Sequence, residues 1–321
     1  MKQIIEIVPN FSEGKDLNIM EQIIAPFKNQ EGIKLLNLEM DASYNRSVVT
    51  VIGEKDVVIA KILESATIAM NLIDLRQHQG EHPRMGALDV LPLIPISGID
   101  ESECIVLSKE LAKALYEKTG IPVYLYALSA ERPQCVNLPD IRKGEFEGLT
   151  EKMLDPFWKT DFGTTPHPSA GAIAVGCRKP LIAFNIDTDS NDKKKILNIA
   201  RKIRFSGGGY RYIQAGAARL SERNICQVTM NLTDYTQTAL YQAIEAVKTE
   251  ARRYNVKITA TEIVGLVPKQ CLLNSLKYYL GLDDSAPLAL TIPEITALAI
   301  KHFLLRDFNE QKIIEYYLDK S

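Results

Sequence analysis

The residues best suited to chemistry lie between His78 and Val90, a segment that reads His-Gln-Gly-Glu-His-Pro-Arg-Met-Gly-Ala-Leu-Asp-Val. Two of the chain's four histidines, His78 and His82, fall in its first five positions, close to Glu81 and Arg84. Imidazole is the side chain whose ordinary pKa lets it both accept and donate a proton near neutral pH. His82 directly precedes a proline, which is a poor position for a helix core residue. The segment therefore predicts an acid/base site in which His82 transfers the proton.

The same segment offers a second interpretation, because His78, Glu81 and His82 have the H-x-x-E-H spacing of one class of zinc peptidases. Two ligands four residues apart converge on one metal only on a helix, and Gly80 and Pro83 both disfavour a helix. No Cys or His cluster follows that would complete a tetrahedral site. We therefore expect no metal, and a capping or packing role for these histidines is the other alternative.

Length and composition are those of a globular protein. The 321 residues suffice for two domains with their own cores, and 46% apolar with 24% charged residues is ordinary usage. The 38 basic and 40 acidic residues give a net charge of −2, so nucleic acid is not an expected partner. The N-terminal residues do not read as a signal peptide, no apolar run is long enough for a membrane span, and the five scattered cysteines suit free thiols. We expect a cytoplasmic protein without a membrane partner.

Apolar runs of strand length alternate with segments of helical period in the first half of the chain. The predicted strands and helices, in order, are β 2–8, α 17–27, β 33–40, β 47–53, α 57–75 and β 87–96. This β-α-β-β-α-β order is typical of the ferredoxin-like arrangement, in which helices cover one face of a mixed sheet. A further helix at 101–119 and a strand at 121–128 follow.

The theme repeats in the second half. The predicted elements are β 172–177, β 181–186, α 193–205, β 210–216, β 225–232, α 236–254 and β 256–264. Residues 129–169 contain five prolines and little periodicity, which predicts a long connection without elements, ordered by Phe157, Trp158 and Phe162. We predict an α/β (α+β) chain of two subdomains, 1–180 and 181–321, with a ligand cleft between them.

Six sequence blocks carry a resemblance to one family. They read Val8-Pro-Asn-Phe-Ser-Glu-Gly14, Asn45-Arg-Ser-Val48, Gly80-Glu-His-Pro-Arg-Met-Gly-Ala-Leu-Asp-Val90, Pro122-Val-Tyr-Leu-Tyr126, Arg142-Lys-Gly-Glu-Phe-Glu-Gly-Leu149 and Gln227-Val-Thr-Met-Asn231. In this order they resemble the motifs of the glutamate formiminotransferases, the folate enzymes of histidine breakdown, over nearly the whole chain. The resemblance implies two α/β subdomains with a ligand tunnel between them, and a homodimer.

The resemblance also implies the reaction and its residues. Family members transfer the formimino group of N-formimino-L-glutamate to N5 of the co-substrate tetrahydrofolate, giving 5-formiminotetrahydrofolate and L-glutamate. The catalytic histidine of the family falls on His82. Its folate-binding stretch falls on Gly163, Thr164, Thr165, Pro166, His167, Pro168, Ser169, Ala170, Gly171 and Ala172. Thr164 and Thr165 stand where many members carry a proline, which puts the contacts of this loop in doubt.

Other activities and partners stay open at this point. The same pocket could host formyl transfer, from formylglutamate or 5-formyltetrahydrofolate, or the chain could bind folate without catalysis. In animals the family's transferase is fused to a cyclodeaminase that consumes its product. Because no such module follows here, we expect any cyclodeaminase to be a separate polypeptide.

Substrate charges point to further residues. The donor's carboxylates and the folate tail call for fixed cations, and Arg46 and Arg84 are candidates because a guanidinium pairs with a carboxylate through two hydrogen bonds. Asn10 and Asn45 lie in predicted turns and could present amides to either substrate. The cationic amidinium of the donor favours a nearby carboxylate, for which the candidates are Glu81, Glu39 and Asp41. An ordinary surface or turn role is the alternative for each residue.

Overall fold

The computed structural model describes residues 2–317 and divides into two compact units between Arg178 and Lys179. The strands of the first unit are β1 (Ile4–Ile7), β2 (Asn10–Phe11), β3 (Ile33–Asp41), β4 (Arg46–Glu54), β5 (Leu88–Ser97), β6 (Val123–Leu125) and β7 (Ile173–Cys177). Its α-helices are α1 (Leu17–Ile24), α2 (Lys55–Leu72), α3 (Glu101–Thr119), α4 (Leu138–Arg142) and α5 (Glu145–Leu154). The predicted mixed α/β class is confirmed.

The first sheet is mixed. The hairpin of β3 and β4 lies at one edge, and β4 pairs antiparallel with β1 and β2, which both pair antiparallel with β5. Beyond β5 the sheet continues with two parallel strands, β7 and then β6. The strand that we placed at the start of the second half, 172–177, is therefore β7 of the first sheet. A parallel strand needs a long crossover, and the chain between β6 and β7 supplies it.

Alternation of side chains along the strands creates the core of this unit. Ile5 and Ile7 of β1 and Leu91 and Leu93 of β5 point to one face, where they pack with buried residues of α1, α2 and α3. The opposite face carries Val90 and the residues Tyr124 and Tyr126, covered by Ile141, Leu149 and Met153 from the connection. The sheet is therefore covered by helices on both faces at this end.

The prediction that residues 129–169 contain no secondary structure was wrong. Helices α4 and α5 lie in this stretch, together with short 3-10 turns. The glycines at 144 and 148 and the nearby prolines lower the helix propensity of these segments, so the sequence did not indicate helices here. Helix α5 forms because Leu149 and Met153, four residues apart, lie on one face of the helix and are buried. Phe157, which we expected to be buried, is 56% exposed and packs edge-on against Trp158.

The second unit repeats the same order of elements. Its strands are β8 (Ile182–Thr188), β9 (Ile213–Leu220), β10 (Ile225–Leu232) and β11 (Ile258–Val264), and its helices are α6 (Lys193–Ile203), α7 (Leu240–Arg252), α8 (Lys269–Tyr279) and α9 (Ile292–Phe303). The sheet order is β11-β8-β10-β9, the order of a ferredoxin-like fold, and every pairing is antiparallel. The predicted mixed sheet is thus wrong for this unit, because no parallel crossover strand is added to its edge.

A separate core holds the second unit together. Alternate strand residues such as Phe184, Val228 and Met230 pack with the buried faces of the four helices. Within the described part of the chain, no helix is both long and apolar enough to cross a bilayer. All five cysteines are buried thiols.

Candidate active site

Several distant parts of the first unit meet around His82. The backbone amides of Glu81 and His82 donate to the carbonyls of Ser43 and Tyr44, at 3.1 and 3.3 Å, in the turn between β3 and β4. Gly80 makes this approach possible, because a Cβ there would lie 2.3 Å from the Tyr44 carbonyl oxygen. The segment from His78 to Gly86 forms no helix, so the backbone that a zinc-type H-x-x-E-H pair requires is not formed.

His82 is buried, with 3% of its surface exposed, and its Nε2 lies 3.4 Å from Oδ2 of Asp89. Nε2 has no hydrogen-bond partner among the described residues, so at 3.4 Å the two side chains are in contact without a formed hydrogen bond. Catalytic hydrogen bonds are commonly long before the substrate binds and shorten afterwards. Asp89 therefore lies on the Nε2 side of the imidazole, away from Nδ1.

Asp89 is itself held as a carboxylate inside the protein. It is fully buried, and its Oδ1 accepts from the amides of Met85 and Gly86 at 2.7 and 3.3 Å. Its Oδ2 accepts from Nε of Arg142 at 2.8 Å and from the terminal nitrogen of the same guanidinium. Burial acts to raise the pKa of Asp89, but the charge of Arg142, then His82 and the Met85 amide outweigh it, so the pKa lies below its ordinary value.

His78 is engaged differently and is fixed as a neutral ring. Its Nε2 lies 2.8 Å from the carbonyl oxygen of Asn45, and its Nδ1 accepts from Nε of Arg84 at 3.2 Å. Burial lowers the pKa of His78, and the charge of Arg84 lowers it further, against the raising effect of the Asn45 carbonyl. A ring that donates from Nε2 and accepts at Nδ1 is the neutral tautomer, which suits a structural support.

Arg84, a predicted clamp for the donor carboxylates, has all of its nitrogens bound by protein groups. Besides its contact with His78, Nη1 donates to Glu145 at 2.9 Å, and Nη1 and Nη2 together donate to the two oxygens of Glu147 at 2.8 and 2.6 Å. Its carbonyl also accepts from the amide of Phe146 at 2.9 Å. Arg84 therefore fastens the start of α5 to the His82 segment.

Arg46, the other predicted clamp, begins β4 and is not held by an ion pair among the described residues. Its Nε is buried and has no hydrogen-bond partner within residues 2–317. The guanidinium carbon lies 5.7 Å from the centre of the Tyr44 ring, in the turn that holds His82. Arg46 thus combines an unsatisfied donor with a position beside the candidate catalytic segment.

The remaining predicted polar contacts have local partners. Asn45 adopts φ 51° and is buried, its Oδ1 accepting from the Gly14 amide at 2.9 Å and its Nδ2 donating to the Gln79 carbonyl at 3.1 Å. Asn10 donates to the carbonyl of Val8 at 3.0 Å. Asn45 therefore ties the N-terminal motif to the histidine segment.

The candidate carboxylates lie at the surface. Asp41 caps the turn before Asn45 by accepting from the amides of Ser43 and Tyr44, both at 2.9 Å. Glu39 accepts from the side chain of Asn37 at 2.7 Å, and Glu81 is exposed. Within residues 2–317, the Glu81 side chain makes no hydrogen bond or ion pair, and Glu81 is next to His82 in the chain.

The loop predicted to bind folate, residues 163–172, lies directly against the His82 segment. The amide of Ala172 donates to the Met85 carbonyl and the amide of Ala87 donates to the Ala170 carbonyl, each at 3.0 Å. Gly171 has φ 70°, and a Cβ there would lie 2.0 Å from the Met85 carbonyl oxygen, so a glycine is required. The structure thus brings the loop and the histidine segment together in one unit.

The loop is closed on itself by His167. The backbones of His167 and Gly171 exchange two hydrogen bonds, at 2.9 and 3.0 Å, and Nδ1 of His167 accepts from the Ala170 amide at 3.1 Å. Burial lowers the pKa of His167. Thr164, Thr165 and Pro168 are exposed at its rim. The loop therefore has a rigid base and a rim open to a ligand.

Sequence reasoning selected His82 but missed Asp89 and Arg142. Asp89 lies in the same motif, seven residues after His82. An acidic residue inside an apolar predicted strand is unusual, and this could have indicated a functional carboxylate. Arg142 comes from α4, 53 residues further on, and only the tertiary fold reveals its pairing with Asp89.

Comparison with known proteins identifies the family. Residues 4–178 match the family model of the N-terminal subdomain of the formiminotransferase domain, and residues 183–319 match the model described as the formiminotransferase domain. The chain belongs to the formiminotransferase family. Its membership explains the order of the six sequence blocks.

Relatives of this formiminotransferase family member span bacteria, archaea and animals. It is 42% identical to a glutamate formimidoyltransferase of Streptococcus pyogenes serotype M1, over 88% of this chain and 95% of that protein. It is 39% identical to a glutamate formimidoyltransferase of Thermoplasma acidophilum, over 87% and 93%. It is also 40% identical to the formimidoyltransferase-cyclodeaminase of Rattus norvegicus, over 87% of this chain but 53% of that protein. The chain is a transferase enzyme.

Proposed function

We propose that this transferase moves the formimino group of N-formimino-L-glutamate to N5 of tetrahydrofolate, giving 5-formiminotetrahydrofolate and L-glutamate in histidine degradation. The observation that carries the proposal is the buried imidazole of His82, 3.4 Å from the buried carboxylate of Asp89, in a chain whose relatives are named glutamate formimidoyltransferase. An imidazole beside a buried carboxylate is suited to proton transfer at neutral pH.

The reaction needs one proton taken and one returned. N5 of tetrahydrofolate attacks the formimino carbon and forms a C–N bond, and the resulting tetrahedral species loses the N5 proton to Nδ1 of His82. The bond between that carbon and the glutamate nitrogen then breaks, and the imidazolium returns the proton to the departing nitrogen. Asp89 stabilises the imidazolium from the Nε2 side without accepting the proton itself. Proton transfer of this kind contributes about 10²–10⁴ in rate.

The folate is assigned to the loop 163–172. Support for this assignment is the set of backbone hydrogen bonds that fixes the loop base to Met85 and Ala87, three and five residues after His82. A ligand at the exposed rim, near Thr164 and Thr165, is therefore held by the same backbone that positions the imidazole. Tetrahydrofolate is a co-substrate, and no step of this chemistry requires a metal ion.

The donor carboxylates are assigned to Arg46 rather than Arg84. Nε of Arg46 is buried and unpartnered within the described residues, whereas Arg84 donates from every nitrogen to His78, Glu145 and Glu147. A guanidinium with an unsatisfied donor gains most from a carboxylate. Glu81 is the carboxylate assigned to the amidinium because it is adjacent to His82 and exposed.

We further propose a homodimer, on the resemblance to the family alone. The bifunctional relatives support a cyclodeaminase as a possible partner for this chain. Light scattering of the purified chain, alone and with a cyclodeaminase, measures both associations.

A direct assay tests the activity. Purified protein is mixed with tetrahydrofolate and either N-formimino-L-glutamate or N-formyl-L-glutamate, and release of L-glutamate is measured. Release that requires both tetrahydrofolate and the formimino donor supports the proposal. Preferred use of the formyl donor assigns the related formyl transfer instead, and folate binding without glutamate release from either donor assigns a binding protein.

A further inference from the structure

His78 is the second histidine of the 78–90 segment, and the proposed proton transfer does not use its ring. Its Nε2 lies 2.8 Å from the carbonyl oxygen of Asn45, and its Nδ1 accepts from Nε of Arg84 at 3.2 Å. Only the neutral tautomer can donate from Nε2 and accept at Nδ1 at the same time. A proton added at Nδ1 therefore removes the acceptor of the Arg84 contact.

The other donors of Arg84 hold the first residues of α5. Nη1 donates to Glu145 at 2.9 Å, and Nη1 and Nη2 donate to Glu147 at 2.8 and 2.6 Å. The Arg84 carbonyl accepts from the amide of Phe146 at 2.9 Å. Because the side chain and the backbone of one residue make these contacts, the orientation of the guanidinium determines where α5 begins. His78 fixes that orientation through the contact with Nε.

The backbone at the start of α5 is strained. Gly144 has φ 95° and Glu145 has φ 54°, both in the left-handed region. A residue with a side chain rarely adopts this conformation, which persists only where the surrounding contacts hold it. Arg84 supplies one of these contacts through the Glu145 carboxylate. Loss of the Arg84 contact therefore favours a change of backbone conformation at this point.

The strained backbone is close in the chain to a residue that holds the candidate catalytic pair. Arg142, the last residue of α4, lies three positions before Glu145. Its Nε donates to Oδ2 of Asp89 at 2.8 Å, and the same oxygen lies 3.4 Å from Nε2 of His82. Contacts therefore run from His78 through the start of α5 to the carboxylate beside His82.

Charged and titratable side chains face His78 from the elements around it. They are Arg84 and His82 of its own segment, Glu13 and Lys15 before α1, of which Lys15 donates to the neighbouring Gln79 carbonyl at 2.9 Å, and Glu147 of α5. Burial lowers the pKa of His78 against the raising effect of the Asn45 carbonyl, and the charge of Arg84 lowers it further. The neutral ring, and with it the Arg84 contact, is therefore present above this pKa and lost as the pH falls through it.

We propose that the neutral ring of His78 is a positioning group for the proton transfer at His82. Protonation of His78 places a second cation against Arg84, which releases the start of α5 and with it the fixed position of the Asp89 carboxylate. The inference rests on the proposed function, because it assigns His78 a role in that reaction. Acid pH then acts on turnover through two histidines, since His82 must be unprotonated to accept a proton and His78 must be neutral to hold Arg84.

The pH profile of kcat tests this role. With two groups that must be unprotonated, kcat of the wild type should fall on the acid side by a factor approaching about a hundredfold per pH unit. The amide in His78→Gln keeps a donor and an acceptor but does not titrate, so kcat should stay within a few-fold of the wild type near pH 8 and fall only about tenfold per pH unit. His302→Gln, on α9, is the matched control and should keep the wild-type profile. Identical profiles of His78→Gln and the wild type overturn the inference.

A measurement without substrate separates this inference from the proposed function and does not depend on a variant that folds. Isotope-labelled wild-type protein is titrated from about pH 8 to about pH 5, and the His78 ring, the Nε–H of Arg84 and the amide of Phe146 are followed by NMR. One shared midpoint supports the inference even if the direct assay detects no formimino transfer. Arg84 and Phe146 resonances that stay in place while His78 titrates, or a His78 ring that does not titrate in this range, overturn it even if transfer is observed.

Discussion

At the scale of single residues, the site depends on how a carboxylate is kept charged inside the protein. Asp89 keeps its charge because hydrogen bonds from Arg142 and two backbone amides compensate for its burial. The carboxylate therefore presents a negative charge to the Nε2 side of the His82 ring. Arg142 and His82 share Oδ2, so the carboxylate is a positioning group rather than a base. We therefore propose that Nδ1, on the other side of the ring, is the atom that meets the substrate.

We predict that Asp89→Asn lowers kcat by on the order of 10² while the Michaelis constants stay within a few-fold, because only the charged imidazole of the transition state loses its partner. Steady-state kinetics measures both quantities. Asp161→Asn is the matched control, since Asp161 also pairs with an arginine, Arg132, at 2.7 Å in the same unit. An equal loss of kcat in both variants, following a loss of folded protein, would assign Asp89 a purely structural role.

Substitution of Arg46 and of Arg84 should affect different properties, donor binding in the first case and stability in the second. Arg46→Lys keeps the charge but removes two-pronged pairing, so the Michaelis constant for formiminoglutamate should rise about tenfold and that for tetrahydrofolate should not change. Arg84→Lys loses the contacts to Glu147 and should lower the melting temperature without a donor-selective effect. A donor-selective defect in Arg84→Lys and none in Arg46→Lys would reverse the assignment.

At the scale of elements, periodicity predicted the strands and the long helices well, because each buries a regular face. Residues 225–232 were predicted as a strand and form β10 with the same bounds. Helix α5 was missed because Gly148 lowers its propensity, and its stability comes from burying Leu149 and Met153 and from Arg84 at its start. The candidate site was likewise predicted only in part. The local motif indicated His82, whereas the pairing of Asp89 with Arg142 depends on where α4 packs and could not be predicted from the motif.

Strand β1 carries a buried acid that should make stability depend on pH. Glu6 is 6% exposed between Ile52 of β4 and Ile94 of β5. Burial raises its pKa from 4.5 to about 7, against the lowering effect of Arg178. Between these values the folded state holds a proton that the unfolded state has lost, so this group destabilises the fold progressively as pH rises from about 4.5 to 7.

Glu6→Gln should therefore raise the free energy of unfolding at pH 8 by roughly 2–3 kcal/mol and have little effect near pH 4.5. Urea denaturation at the two pH values measures the difference. Glu110→Gln, at an exposed position on α3, is the control and should change stability at neither pH. A Glu6→Gln effect that is the same at both pH values would show that the pKa of Glu6 does not differ between the folded and unfolded states.

At the scale of the whole molecule, both units contain the β-α-β-β-α-β order of elements, but their sheets differ. The first unit adds β6 and β7, whose crossover contains α4, α5 and the loop 163–172, and Asp89, Arg142 and Met85 beside His82 belong to this unit. Among residues 179–317 no such strands are added, and one face of the second sheet carries polar side chains. The domain boundary and the cleft between subdomains remain predictions.

We expect a reduced folate in a crystal of this protein to lie against the loop 163–172, beside His82. The rigid base of that loop, tied to Met85 and Ala87, favours binding without a large rearrangement. Difference density for bound 5-formyltetrahydrofolate is the measurement. Density that makes no contact with Gly163, Thr164 or Thr165 would contradict the assignment of the loop.

The most direct test of the central claim compares turnover and folate affinity in two histidine variants. His82→Ala should reduce kcat by on the order of 10² or more and leave folate affinity within a few-fold, because proton transfer acts mainly in the transition state. His78→Ala should cost much less, since His78 is held neutral between Asn45 and Arg84. Equal losses of kcat in both variants, or turnover in His82→Ala close to that of the wild type, would contradict the account.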